Sequence, residues 1–319
     1  MDSPYRLLPN GPFTRRQALA AGITSRMLQG DGFVRLYPRV WRRKAHVMTE
    51  DDWVRAAQLA LPGDARLTGI SRIRAVGLDY GPWRPLHFVV ARDLHLDFEG
   101  VFLHRTEAMP PLDDVGVCVE AAFLAYCVRC RVIDAIKVGD WLLHNAHMDL
   151  ARLKDLAVAQ QWRDGADEAL WILEHLDPDS WSLKESETRA AIVFAGLPRP
   201  ECNRQLHEIT QRVVIVDMLY REPQPGVAVE FEGGQHREDQ DQYERDIGRY
   251  ALMRSAGVSY VQVTNAKLKQ PRKVVNEVHR ELVAHGYDGP APLFGERWQT
   301  LFRSLRAAVG PRDWRRPSA

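Results

Sequence analysis

The sequence has few cysteines and no long apolar run, and each absence excludes a class of protein. Its four cysteines, Cys118, Cys127, Cys130 and Cys202, are too few for a disulfide framework in 319 residues. The single CxxC at Cys127 and Cys130 lies in an apolar helical pattern and has no partner pair, so we expect buried thiols rather than a zinc or redox site. No stretch approaches the roughly 18 to 20 apolar residues that cross a bilayer, and the N-terminal segment lacks the apolar core of a secretion signal. We therefore expect a cytoplasmic protein without membrane contacts.

The chain also lacks a large net charge, but its charges are unevenly distributed. The whole sequence carries +1, whereas the first 48 residues contain nine Arg or Lys and two Asp, a net charge of +7. Such asymmetry is typical of a nucleic-acid-binding module attached to a neutral or acidic body, although a solvated basic surface would have the same composition. The length of 319 residues is sufficient for two domains.

Turn and capping signals divide the N-terminal half into two parts. The spacing of Thr14 and Gln17 predicts a helix start, a second short helix is expected over about 24–30, and the residues around Tyr37 form two short strands. Two small helices followed by a hairpin indicate a winged helix-turn-helix over residues 1–48.

Residues 49–178 are predicted to form a mixed α/β middle domain. A helix begins near Thr49, and LHFVVA and GVFLHRT are predicted strands. Two amphipathic helices are expected over 119–145 and 149–175. This part has no recognisable catalytic spacing, and the turn formers at 177–182 mark the main domain boundary.

The remaining sequence predicts a regular order of elements. Residues 179–290 are expected to form an α-β-β-β-α-β core with one further helix, and residues 291–319 a basic C-terminal tail or helix. The predicted spans are, in order, 183–195, 203–209, 212–218, 227–232, 239–255, 258–263 and 271–285. The predicted fold class of the chain is therefore α/β, or α+β overall.

Carboxylates concentrate on two of these strands. In VAVEFEGGQH the apolar residues alternate with Glu230 and Glu232, so both glutamates lie on one face of a strand. Asp217 ends the preceding apolar strand, and a hairpin would bring it beside Glu230. Crowded carboxylates repel one another unless a cation neutralises them, and Mg²⁺ or Mn²⁺ held by carboxylates suits phosphodiester hydrolysis by a metal-activated water. The alternative is that both glutamates form the solvent face of an edge strand.

Further polar residues follow this strand. His236 comes after Gly233 and Gly234 and has the chemistry of a general acid or base, or of a residue that orients a water or phosphate. A lone surface histidine is the alternative. In the next predicted helix, Arg245 or Arg249 could contact phosphate, although solvated charge is the commoner role for such arginines.

Three segments of the C-terminal half carry a family resemblance: SETRAAIVFAGLPRPECNRQL, VDMLYREPQPGVAVEFEGGQHRE and RDIGRYALMRSAGVSYVQVT. Together they resemble the very-short-patch-repair-like endonuclease domains of the PD-(D/E)XK superfamily, whose restriction-endonuclease-like core has the same α-β-β-β-α-β order. The resemblance implies metal ligands at Asp217, Glu230 and the helical Glu187, with Glu232 and His236 as further catalytic residues. Glu232 departs from the pattern, because these domains usually carry aspartate there and the wider superfamily carries lysine.

The N-terminal half carries a second resemblance, in PFTRRQALAAGITSRMLQGDGFVRLYPRVWR and DARLTGISRIRAVGL. These segments resemble the winged-helix start and the following domain of AbiEi-like antitoxins of type IV toxin-antitoxin systems. The resemblance implies a DNA-binding module whose second helix enters the major groove while arginines contact the backbone. The residues expected in the groove are Ser25, Arg26 and Gln29, and those expected on the backbone are Arg15, Arg16, Arg39, Arg42 and Arg43.

Two functions from different classes remain open. In the first, the basic module positions a Mg²⁺-dependent endonuclease on DNA, which the set of Asp217, Glu230 and His236 favours. In the second, the protein is a transcriptional regulator or antitoxin whose nuclease fold binds without turnover, which the departure at Glu232 favours. DNA is the expected partner in both, with a homodimer or a toxin-antitoxin partner as further candidates. A purely structural partner-binding protein would explain neither the basic N-terminus nor the acidic residues.

Overall fold

The computed structural model describes residues 7–205, 214–222, 224, 226–232, 252–255 and 257–310. Residue contacts divide the chain into two compact units, Met1–Phe123 and Leu124–Ala319. Helices and three small sheets alternate along the chain, which agrees with the predicted mixed α/β class. Among the described residues, no helix is both long enough and apolar enough to cross a membrane.

The first unit begins with a short helix and a small sheet. The N-terminal elements are β1 (Phe13–Thr14), α1 (Arg15–Ala20), β2 (Phe33–Tyr37) and β3 (Val40–Arg43), in a sheet of order β1-β3-β2. The predicted capping box is confirmed, because Thr14 Oγ1 accepts from the Gln17 amide while Gln17 Oε1 accepts from the Thr14 amide at 2.8 Å. The β2–β3 hairpin is also confirmed.

The second helix of this module differs from the prediction. In place of a helix over about 24–30, the chain forms a single 3₁₀ turn at Met27–Gln29. Three residues of 3₁₀ helix are only about 6 Å long, too short to lie along a DNA groove. Leu28 and Phe33 are both buried in one small core, so the chain must turn back into the hairpin within a few residues.

The rest of the first unit packs one helix and a second sheet around a separate core. Its elements are α2 (Glu50–Ala60), β4 (Arg66–Leu67), α3 (Gly69–Arg74), β5 (Leu86–Val90) and β6 (Val101–Arg105). The predicted helix start at Thr49 is confirmed by a capping box with Asp52. Ala56 and Ala57 of α2 belong to the same buried core as Phe88 of β5, so the apolar face of the helix and that of the strand contribute to one core.

Each of the two long helices predicted over 119–145 and 149–175 is interrupted. The observed helices are α4 (Val119–Cys127), α5 (Val132–His144), α6 (Leu150–Ala159) and α7 (Ala166–Ile172), followed by a 3₁₀ turn at Leu173–His175. Between α4 and α5 the backbone pairs elsewhere: the Val132 amide donates to the Arg303 carbonyl at 3.1 Å. These distant partners replace the bonds that would have continued a single helix.

The second interruption centres on Gly165, which has a φ of 92° and precedes α7. A Cβ at Gly165 would lie 2.0 Å from the backbone oxygen of Leu124, whereas a Cβ at Gly196, with a φ of 91°, would meet nothing within 4 Å. We expect Gly196→Ala to lower the free energy of unfolding by about 1 to 2 kcal/mol, the cost of left-handed backbone, and Gly165→Ala by about 3 to 5 kcal/mol because overpacking is added. Urea unfolding of both variants measures the difference; equal losses would show that the close approach to Leu124 is not required.

The cysteines of this region are buried, as predicted. Cys127 is 0% exposed and Cys130 is 7% exposed, and neither forms a disulfide. Burial raises the pKa of the Cys127 thiol well above its usual value, and a hydrogen bond with Cys130 adds to this effect. Both are therefore unreactive core side chains.

A four-stranded sheet forms the centre of the second unit. Its elements, with the helices around them, are α8 (Leu183–Phe194), β7 (Glu201–Gln205), β8 (Ile215–Tyr220), β9 (Val227–Glu232), β10 (Ser259–Thr264), α9 (Asn265–Leu268), α10 (Pro271–Ala284), α11 (Glu296–Thr300) and α12 (Leu305–Val309). The sheet order is β10-β9-β8-β7, with β9 parallel to β10 and antiparallel to β8. The strand predicted over 227–232 is confirmed, and the helices predicted over 183–195 and 271–285 each end one residue earlier. Of the helix predicted over 239–255, only 252–255 is described, and it is helical.

Apolar side chains cover both faces of this sheet. On one face Val229 and Val261 pack with Ile192 of α8 and Val275 of α10 in the larger core. The smaller core on the other face consists of Val214, Val216, Leu219, Ala228, Met253 and Val258. Alternation along β9 therefore sends neighbouring residues into different cores.

A buried ion pair joins α5 to α8 within this unit. Arg189, 2% exposed, donates from Nη2 to Asp140 Oδ2 at 2.7 Å, and Asp140 is 0% exposed. Asp140 also accepts from the Asp177 amide at 2.7 Å. Burial raises the pKa of Asp140 above its usual value, although the charge of Arg189 opposes this rise. Helix α5, assigned to the middle domain by the sequence, thus packs in the same compact unit as the sheet, and the four-part division remains a prediction.

Candidate active site

Glu230 lies on an interior strand. β9 is hydrogen-bonded to β8 on one side and to β10 on the other. Glu230 is 0% exposed, and Glu232 is half-buried. The alternative that these glutamates form the solvent face of an edge strand is therefore wrong. Removing a carboxylate from water in this way is costly unless hydrogen bonds or a cation compensate.

Asp217 lies on β8 beside the same part of β9. The antiparallel register runs from Tyr220–Val227 to Met218–Val229, and Asp217 and Glu230 are the next residues of the two strands. Asp217 Oδ2 accepts a hydrogen bond of 2.7 Å from the Phe231 amide, so its carboxylate lies against β9 next to Glu230. The fold therefore brings together two of the three predicted metal ligands.

Glu230 lies on the face of β9 that carries the smaller core. It lies two residues from Ala228, which belongs to that core, and a spacing of two returns a side chain to the same face. Asp217 lies between Val216 of the smaller core and Met218 of the larger core, so alternation does not assign its face, and its position follows from the hydrogen bond to the Phe231 amide. Beyond Glu230 the alternation along β9 places Glu232 at the half-buried end of the strand.

Glu187, the third predicted ligand, is held by two lysines. Its Oε2 accepts from Lys137 Nζ of α5 and from Lys184 Nζ of α8, both at 3.0 Å. Burial opposes ionisation of Glu187, but the charges and hydrogen bonds of these lysines outweigh it, and its pKa lies below the usual value. These contacts account for a charged Glu187 without a metal.

Glu185 is a second helical carboxylate, to which the sequence assigns only a capping role. It is 7% exposed, and its Oε2 accepts from the Trp181 amide at 2.9 Å and from Asn203 Nδ2 at 2.7 Å. Asn203, with a φ of 47°, is placed opposite Asp217 by the register of β7 and β8. The spacing from Ser182 to Glu185 is that of a capping box, so the sequence does not indicate that Glu185 also accepts a hydrogen bond from Asn203. Glu185 therefore connects the start of α8 to β7 through Asn203.

The remaining predicted residues of this site cannot be placed. His236, Arg245 and Arg249 lie outside the described residues. Within the part of the chain that the structure describes, no group of three His, Cys, Asp or Glu side chains is arranged to hold a metal ion. The described site is thus a pair of carboxylates on adjacent strands, with Glu232 at the end of β9.

The predicted DNA-contacting residues of the N-terminal module fall into two groups. Arg42 Nη1 donates to three backbone carbonyls that follow it, at 2.7 to 3.1 Å. Arg15 donates to Ser25 Oγ at 2.7 Å, and Arg43 donates to the Leu8 carbonyl at 3.2 Å. The second group is exposed, makes no side-chain hydrogen bond or ion pair with any described residue and consists of Arg16, Arg26, Gln29 and Arg39. Only the second group has all its side-chain donors available to DNA.

Carboxylate oxygens on neighbouring strands are the ligands that hard divalent cations prefer, and exposed arginines suit a phosphate backbone. The described residues therefore include candidate metal ligands in the second unit and candidate phosphate-binding arginines in the first. Comparison with protein-family models, with curated proteins and with solved structures gives no match for this chain.

Proposed function

We propose that this protein is a metal-dependent DNA endonuclease. The observation that carries the proposal is the position of Glu230, a fully buried carboxylate on an interior strand beside Asp217. Two adjacent carboxylates repel each other, and burying a charged carboxylate is costly without a compensating charge. A divalent cation supplies the compensating charge, and it does so most readily where the ligands are oxygen atoms.

The residues that would hold Mg²⁺ or Mn²⁺ are Asp217 and Glu230. The family resemblance adds Glu187 as a third ligand, but α8 packs on the face of the sheet opposite to Glu230, and Lys137 and Lys184 already hold the Glu187 carboxylate. When bound, the cation would activate a water and stabilise charge on the scissile phosphate.

Glu232 has a different role in this proposal. It follows Glu230 by two residues on the same face and is half-buried rather than fully buried, so water reaches it. A solvent-accessible carboxylate beside the attacking water can accept its proton. The side chain is one methylene longer than the aspartate of the family pattern.

Incubation of the purified chain with supercoiled plasmid tests this function. We expect nicked and linear products in Mg²⁺ or Mn²⁺ and none in EDTA. Binding of the plasmid without any metal-dependent cleavage would overturn the endonuclease proposal.

The second candidate is a DNA-binding regulator or antitoxin without turnover. It is favoured by the absence of a three-ligand group among the described residues and by the two lysines on Glu187. DNA is the partner in both functions, and the plasmid assay separates them. A toxin-antitoxin partner or a homodimer belongs to the second candidate and would appear as a larger species in solution.

The exposed arginines lead to a prediction that holds for both functions. We expect simultaneous Arg16→Ala, Arg26→Ala and Arg39→Ala substitutions to reduce the slope of log affinity against log salt by about 2, because Arg16 and Arg39 are the predicted phosphate contacts and each lost contact removes about 0.9. Fluorescence anisotropy of a labelled duplex over a range of salt concentrations measures this slope. Arg92→Ala, in the same unit and paired with Asp64 at 2.7 Å, is the control that leaves the slope unchanged. An unaltered slope in the triple variant would show that DNA binds elsewhere.

A further inference from the structure

The third strand of the site contributes a polar side chain at the level of the carboxylates. The parallel register of β9 and β10 pairs Glu230 with Gln262. Paired residues on neighbouring strands have side chains on the same face. Val261 and Val263, on either side of Gln262, belong to the larger core on the opposite face. Glu230 and Gln262 therefore share a face, and with Asp217, whose carboxylate lies against β9, they form a row across β8, β9 and β10.

The side chain of Gln262 is available for a ligand. It is half-buried, and no described residue donates a hydrogen bond to its side-chain amide or accepts one from it. Its main chain, by contrast, is fixed: the Gln262 carbonyl accepts from Lys267 Nζ at 2.7 Å, and Lys267 pairs with Glu277 of α10 at 2.9 Å. A fixed backbone with an uncommitted amide is suited to recognise a bound group rather than to hold the fold together.

The chemistry of an amide complements that of the two carboxylates. Carboxylates only accept hydrogen bonds when ionised, whereas the glutamine NH₂ group supplies two donors and carries no charge. A third acid at this position would increase the repulsion within the row. A neutral donor can instead contact an anionic oxygen of the substrate next to the metal ligands.

We infer that Gln262 is a phosphate-binding residue of this site, whose NH₂ group donates to a non-bridging oxygen of the DNA phosphate that is cleaved. The inference rests on the proposed function, because it takes the row of Asp217 and Glu230 as the place where the phosphate binds. It adds a residue from β10 to which neither the sequence pattern nor the family resemblance assigns a role.

The test compares Gln262→Met, which keeps the length of the side chain but removes its hydrogen bonds, with Tyr260→Phe. Tyr260 lies two residues earlier on the same strand and face, so its variant controls for disturbance of β10. We expect Gln262→Met to lower the single-turnover cleavage rate in Mg²⁺ by roughly 10- to 100-fold, the effect of one lost hydrogen bond to a charged group. Duplex affinity in Ca²⁺ should fall while affinity in EDTA and the Tm stay unchanged.

A second variant distinguishes donation to phosphate from coordination of the metal. Gln262→Glu keeps an oxygen ligand but removes both donors, so we expect it to lose at least as much activity as Gln262→Met. Full activity in Gln262→Glu would overturn the phosphate-binding role. If Gln262→Met fails to fold, the cleavage rate of Gln262→Glu tests the role in its place.

The outcomes separate this inference from the proposed function. If the wild-type chain cleaves DNA and Gln262→Met cleaves equally well, the inference is wrong and the function stands. If the wild-type chain does not cleave but Gln262→Met loses its Ca²⁺-dependent DNA affinity, the inference stands and the hydrolytic function fails. If the wild-type chain shows neither cleavage nor metal-dependent DNA affinity, both are overturned.

Discussion

Replacing Asp217 with asparagine is expected to abolish metal-dependent DNA cleavage while leaving the fold intact. Asparagine has the same shape, and its side-chain oxygen can still accept the bond that Phe231 N makes to Asp217 at 2.7 Å. It lacks the negative charge that binds a hard cation. Loss of this ligand should lower the single-turnover rate by on the order of 10³-fold, equivalent to about 4 kcal/mol of transition-state stabilisation.

Glu222→Gln provides the matched control for Asp217→Asn. Glu222 is an exposed acid in the connection between β8 and β9, a few residues along the chain from Asp217. Its variant removes the same charge from the same hairpin and should cleave at the wild-type rate. Cleavage by Asp217→Asn at a rate close to that of Glu222→Gln would rule out Asp217 as a metal ligand.

A large loss of stability is expected from Arg189→Met. Methionine fills a similar volume but leaves the carboxylate of Asp140, which is 0% exposed, without its cation. Breaking a buried ion pair in this way should lower the free energy of unfolding by about 3 to 5 kcal/mol, measured by urea unfolding. The loss should shrink in acid, because burial already raises the pKa of Asp140 and a protonated carboxyl needs no counter-charge.

Two further variants control this measurement. Arg199→Met also removes an arginine, one that donates to Asp177 at 3.0 Å, but Arg199 is 40% exposed, and we expect a loss of no more than about 1 kcal/mol. The double variant Arg189→Met with Asp140→Asn should recover part of the stability, because no unpaired charge remains buried. Equal losses in the free energy of unfolding for the two single arginine variants would show that the Arg189–Asp140 pair contributes no more to stability than the exposed Arg199–Asp177 pair.

Local patterns were sufficient where a residue interacts with near neighbours in the chain. Thr14 and Thr49 start helices through contacts three residues away, and the sequence shows both members of each box. The alternation in Val227–Glu232 predicts a strand because the period of two is a property of the strand itself. The same alternation places Glu230 and Glu232 on one face before any tertiary contact is known.

Distant contacts decided the features that the sequence did not reveal. Strand order is not local, so an edge position and an interior position for β9 have the same pattern, and only the pairing with β10 distinguishes them. The interruption at Gly165 depends on the carbonyl of Leu124, and the one before Val132 depends on residues near the C-terminus. Likewise, the number of basic residues in the sequence does not distinguish Arg42, which donates to nearby backbone carbonyls, from the exposed arginines.

The alternation of β9 between two cores also has a practical consequence for protein engineering. Val227 and Val229 contribute to the larger core, while Glu230, the next residue, contributes to the row of polar side chains on the other face. Residues of the larger core and residues of the candidate site thus alternate over Val229–Glu232 of one six-residue strand. Substitutions at Val227 and Val229 can therefore be used to increase the stability of the larger core without replacing Glu230 or Glu232.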